Sequence, residues 1–214
     1  MIIKQLSKRS PLFRLFGTGL LLSTFIFSCS FPKEQANKSK HAMVVSAHPL
    51  ASEIGLQIIK NGGNAVDAAV AVQFALAVVY PSAGNIGGGG FFVYRSNGGE
   101  CSTLDFREKA PLNAQRDMYL DTLGNVVDNL SLIGHLAVGV PGTVYGMVAI
   151  HEKYGRLSWK EVIQPSIDLA NNGFVLTEKQ AYNLNYFNKS KLNFNDYNPY
   201  FKDAFRKGDT LILR

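Results

Sequence analysis

The residues best placed to do chemistry are grouped in Asp105-Phe106-Arg107-Glu108-Lys109, at the end of a β-forming run from Cys101 to Phe106. Side chains alternate along a strand, so Leu104 and Phe106 share one face while Thr103, Asp105 and Arg107 share the other. A guanidinium is thereby presented at a strand end, away from the apolar face, which suits an anionic substrate. Its planar fork grips a carboxylate through two parallel hydrogen bonds, as an ammonium does not. Asp105, Arg107 and Glu108 would equally make a structural ion-pair network at the strand end. Other candidates are weaker. His41, His48, His135 and His151 lack metal-ligand spacing, and two cysteines add nothing to them, so no metal and no cofactor is implied. No Gly-x-Ser-x-Gly elbow supplies a serine nucleophile. Cys101 reads as a small strand hydrophobe without a role.

Several elements must position this segment. Gly87-Gly88-Gly89-Gly90 precedes Phe91 to Arg95, an aromatic and β-branched strand that Ser96-Asn97-Gly98-Gly99 turns back into the Cys101 strand. Four glycines carry a backbone-entropy cost, so the chain there needs positive φ or close backbone approach. Tight packing in a turn is one reading and a phosphate cradle another, although such cradles open a helix and this loop opens a strand. Upstream, Met43 to Ala47 reads as a short strand, and a helix follows from Pro49 to about Asn61, stopped by Gly62. Asn64 caps a second helix, Ala65 to Val79, whose all-round apolar surface marks it as a core helix. Downstream, Arg116 to Leu120 suggests a short helix, and Thr143 caps a helix from Val144 to Tyr154. Ser158-Trp159-Lys160-Glu161 has the form of a capping box for a helix to about Asn172, with a kink or broken turn expected at Pro165. An apolar strand begins at Leu211, as if the chain were cut short.

Four strings carry a family resemblance in order and spacing: Asn61 to Ala71 (NGGNAVDAAVA), Gly87 to Phe91, Asp105 to Pro111 (DFREKAP), and Gly139 to Gly146 (GVPGTVYG). From about Met43 onward the chain resembles the N-terminal part of the large subunit of γ-glutamyltranspeptidases, or glutathione hydrolases. The resemblance implies an α+β fold, an N-terminal nucleophile hydrolase-type αββα sandwich of which only the N-terminal portion is present. It implies that the glycine loop lies close beneath an active site. It assigns Arg107 to the α-carboxylate of a γ-glutamyl group. The family's nucleophile is a threonine in a Thr-Thr-His-x-Ser context, a string this sequence lacks, so no catalytic residue is assigned here. The implied partners are γ-glutamyl compounds such as glutathione, the remainder of the large subunit, and the small subunit released by autoproteolysis. Two other readings stay open: a fragment of a related acylase, and a non-catalytic lipoprotein binding amino acids or peptides.

Residues 1–28 hold Lys4, Lys8, Arg9, Arg14 and no acid, so much of the net charge of +6 belongs to them. No basic patch interleaved with aromatics remains to suggest nucleic acid. The apolar run Leu15 to Phe27 is shorter than the ~20 residues of a membrane span and reads as a secretory signal. Ile26-Phe27-Ser28-Cys29 has the look of a lipobox, which would place a lipid on Cys29 and tether the mature chain on the periplasmic side of a bacterial membrane. An uncleaved anchor and an ordinary signal peptide are the alternatives. Residues 29–40 read as a polar tether, and residues 41–214 as the folded part.

Overall fold

A computed structural model describes residues 38–189, 206 and 208–211, and the fold lies in the unit His41–Arg214. The leader, Cys29 and residues 212–214 of the expected last strand lie outside the described residues.

Helix α1, Pro49–Lys60, begins with proline in its first turn and ends before Gly62, whose φ of +94° only glycine adopts without strain. Helix α2, Ala65–Val79, follows at once. Asn64 accepts the N–H groups of Val66 and Asp67 (2.8 and 3.0 Å), and Asp67 accepts that of Asn64 (2.8 Å), a complete capping box. α2 is the centre of the core. Val70, Ala71, Ala75 and Val79 are fully buried along it, joined by Ile58 of α1.

Strands β1, Phe91–Arg95, and β2, Cys101–Asp105, form an antiparallel hairpin that pairs Phe91 with Asp105 and Arg95 with Cys101. Phe92, Tyr94 and Leu104 turn inward against the core, and Tyr94 lies 4.8 Å from Tyr154 between ring centroids. The outer face is open, with Phe91 and Val93 65% and 80% exposed. Helix α3, Thr143–Tyr154, packs against this hairpin. Helix α4, Trp159–Asn172, lies along α2, with Trp159 edge-on to Phe74 and Val162 fully buried. Strand β3, Phe174–Val175, pairs with β4, Thr210–Leu211, and α5, Glu178–Lys189, lies between them in sequence. No helix among the described residues is long and apolar enough to cross a membrane.

Four local expectations are corrected. Residues 43–47 alternate between exposed and half-buried as a strand would, yet pair with no strand among the described residues. Residues 116–120 form turns rather than a helix: Asp121 accepts the N–H groups of Leu123 and Asn125, and the chain folds back until Leu120 bridges Val126. Thr143 is the first residue of α3 and does not cap it; the cap position is Gly142. Helix α4 runs unbroken through Pro165, because Val162 and Ser166 anchor both sides of it against α2, Ser166 by a hydroxyl bond to the Ala71 carbonyl (3.4 Å).

Candidate functional site

Arg107 sits in a short bend held at both ends. Before it, the Phe106 N–H donates to the Gly90 carbonyl (3.0 Å). After it, Lys109 and Val140 exchange two backbone hydrogen bonds (3.1 and 2.8 Å). The Asp105 carboxylate accepts the Arg107 N–H (2.9 Å) and so turns the chain at the strand end. The glycines explain themselves here. None of Gly87 to Gly90 has positive φ; close approach is the reason for Gly88, Gly89 and Gly90, whereas a Cβ at Gly87 would meet open space. A Cβ at Gly89 would stand 2.7 Å from both Arg107 Cα and the Phe106 carbonyl oxygen. A Cβ at Gly142 would overlap the same oxygen, and one at Gly146 would overlap the Phe106 ring. Phe106, nearly buried, is therefore clasped between the glycine loop and the start of α3.

The guanidinium projects outward, with the Arg107 side chain 64% exposed. Its Nε lies 3.8 Å from Glu108, an exposed pair of little strength, and its centre 5.9 Å from the Phe91 ring centroid. Asp105 is engaged with backbone instead, so the expected three-charge network reduces to one loose contact. Most of the donor fork stays turned to solvent, where a carboxylate can meet it. A small cavity beneath β1, lined by Phe92, Phe106, Gln73 and Met147 among others, is not lined by Arg107.

The loop is not built as a phosphate cradle. The Gly88 N–H is taken by Asn85 Oδ1 (2.9 Å), and the Gly88 carbonyl accepts from Gly142 and Thr143 (2.8 and 3.1 Å). Asn85 Oδ1 also accepts the hydroxyl of Thr143 (2.7 Å), which is completely buried. Sequence reasoning did not find this bond; the one signal was the Asn85-to-Gly88 spacing, in which an Asn side chain reaches a nearby backbone N–H. Also unforeseen is the second use of Asp67. It is wholly buried and accepts the N–H groups of Arg156 (3.0 Å) and Leu157 (3.4 Å), closing the α3–α4 turn onto the start of α2. His151 Nε2 lies 3.0 Å from the Leu157 carbonyl and 3.5 Å from Asp67, a place in the same knot. Among the described residues no group of three His, Cys, Asp or Glu is placed to hold a metal ion.

Helices layered under one face of a twisted hairpin, with a glycine loop at its mouth, are found again in solved structures. The chain superposes on the γ-glutamyltranspeptidase of Helicobacter pylori with a TM-score of 0.78 and 48% identity, over 83% of this chain and 52% of that one. The fold is α+β, of the N-terminal nucleophile hydrolase type. The sequence model of the gamma-glutamyltranspeptidase family matches residues 51–214, and the chain belongs to that family. It is 52% identical to the glutathione hydrolase proenzyme of Pseudomonas sp. (strain A14) over 73% of this chain and 27% of the relative. It is 45% identical to that of Escherichia coli (strain K12) over 82% of this chain and 31% of the relative. The chain thus spans less than a third of the length of these relatives.

Proposed function

We propose that this chain is the N-terminal part of a γ-glutamyltranspeptidase precursor, which cleaves γ-glutamyl amides such as glutathione and passes the γ-glutamyl group to water or an amino acid. Within it, Arg107 holds the α-carboxylate of the γ-glutamyl donor and moves no proton. The observation that carries this reading is a guanidinium fixed through its main chain and mostly open to solvent at its head, inside the family's Asp-Phe-Arg-Glu string. The acyl-accepting threonine comes from the part of the precursor beyond Arg214, and its own amine, freed by autoproteolysis, serves as base. The acylase and non-catalytic readings lose favour, since the relatives matched are glutathione hydrolase proenzymes. The leader and Cys29 support a lipid tether on the periplasmic side.

Arg107→Ala in the complete precursor tests the assignment. A hydrogen bond to a charged group contributes about 1.5–3 kcal/mol, and one buried partner left unpaired costs ~3–5 kcal/mol. At ~1.4 kcal/mol per factor of ten, kcat/KM for a γ-glutamyl anilide should fall roughly 10- to 1,000-fold. Arg107→Lys should recover only part of that loss, and autoprocessing should proceed in both variants. An equal loss on an analogue lacking the α-carboxylate would reduce Arg107 to a brace for the strand end.

A further inference from the structure

We propose that Asn85 and Thr143 are positioning residues for Arg107, locking the two backbone segments that bracket it into one height above the core. The inference rests on the carboxylate-binding reading of Arg107. Its geometric ground is independent of that reading. The bend at 106–108 touches two separate stretches: the glycine loop through the Phe106 N–H and Gly89, and the stretch 139–142 through Lys109–Val140 and Gly142. Those stretches are tied to each other by the Gly142 and Thr143 N–H groups on the Gly88 carbonyl and by one side-chain bond, Thr143 Oγ1 to Asn85 Oδ1.

Asn85 is suited to the task because its amide orientation is fixed. Oδ1 accepts from the Gly88 N–H and the Thr143 hydroxyl, while Nδ2 donates to the Ala83 carbonyl (3.2 Å). The Asn85 carbonyl in turn accepts from Gln73 of α2 (3.3 Å), which roots the loop in the core helix. A buried hydroxyl without an acceptor is unfavourable, so Thr143 has no equally good alternative to this partner. Without the bond, the glycine loop and the 139–142 stretch are tied only by the two N–H groups on the Gly88 carbonyl, and their relative position is held less firmly. The segment between them carries Arg107, and a shift of about 1 Å in a positioning group is enough to weaken a two-point carboxylate grip.

The test uses the complete precursor and two donors, a γ-glutamyl anilide and its analogue without the α-carboxylate. Thr143→Val keeps the shape and removes the donor; Asn85→Ala removes the acceptor. Each should raise KM for the anilide about tenfold with kcat nearly unchanged, while the analogue is turned over as before. Thr143→Ser should restore the parent KM. In an Arg107→Ala background Thr143→Val should have no further effect, because there is no guanidinium left to misplace. Equal losses on both donors, or an undiminished effect in that background, would overturn the inference. So would a precursor that either variant leaves unprocessed, since the bond would then serve the fold itself. If Arg107→Ala fails to separate the two donors, the carboxylate reading falls; if it separates them and Thr143→Val does not, only the positioning role falls.

Discussion

Asp67 offers the sharpest test of how the core is joined. Its carboxylate is wholly buried, and three backbone N–H groups converge on it from two distant parts of the chain: Asn64 on one side, Arg156 and Leu157 on the other. Asp67→Ala orphans all three donors. At ~1–3 kcal/mol for each unsatisfied group, three would sum to roughly 3–9 kcal/mol, less where Arg156 can reach water. Asp67→Asn is the more telling change. It keeps size and shape but has one acceptor oxygen, and because both carboxylate oxygens accept N–H groups, its amide nitrogen must face a donor. That variant should lose about 1.5–3 kcal/mol. Hydrogen–deuterium exchange on the complete enzyme reads the result at the amides of Arg156 and Leu157, which should exchange ten- to a hundredfold faster at ~1.4 kcal/mol per factor of ten. The melting temperature should fall in the same variant. Exchange and melting unchanged by Asn would mean that acceptor geometry does not hold the α3–α4 turn, and the account of the knot would be wrong.

Two further outcomes follow from other sites. Burial holds the His48 ring below its ordinary pKa, against the opposing hydrogen bond with Gln180 and the charge of Glu53; Nδ1 accepts the N–H of Leu50 (3.3 Å), and Nε2 lies 3.0 Å from the Gln180 amide. The unfolded chain takes the proton first, so this stabilisation is complete above the unfolded value near ~6.5 and is lost as pH falls through the lower folded value. Melting measured against pH should fall less steeply below that value in His48→Asn, which keeps a cap for α1; identical profiles would remove His48 from the acid response. Cys29→Ala should release the protein from the membrane fraction or block its processing, and normal cleavage with full retention would end the lipid-anchor proposal.

The elements that sequence revealed to within a residue or two are those whose signals are local. Asn64 and Asp67 lie within one turn of each other, as do Ser158 and Glu161; the cap at Asn64 and the box at Ser158 formed as read, and Asp67 completes a second box that was not read. The hairpin follows from alternation and from the glycine-rich turn, with Gly99 at φ +90°. Arg107 was singled out by the family resemblance, since alternation along the strand by itself leaves a structural ion-pair network at the strand end. Where sequence misled, the decisive partner lay far along the chain. Thr143 looked like a cap because a threonine before a helix usually is one; its hydroxyl goes instead to Asn85, which the next turn of helix cannot reveal. Residues 43–47 have strand alternation, but a strand is defined by its neighbour, and periodicity names none. Pro165 should break a helix by local rules, and buried contacts on both sides of it prevailed.

The clasp around Phe106 bears on how this chain can vary. A methyl group at residue 146 would collide with the Cβ and Cγ of Phe106, atoms that every larger side chain shares, so trimming the ring to leucine or valine would give no relief. At residue 142 the obstacle is the Phe106 carbonyl oxygen, which no substitution at 106 removes. Drift at Gly142 and Gly146 is therefore closed off, however freely the irregular stretch between their string and DFREKAP changes in length or composition. The two strings behave as one word spelled in two places.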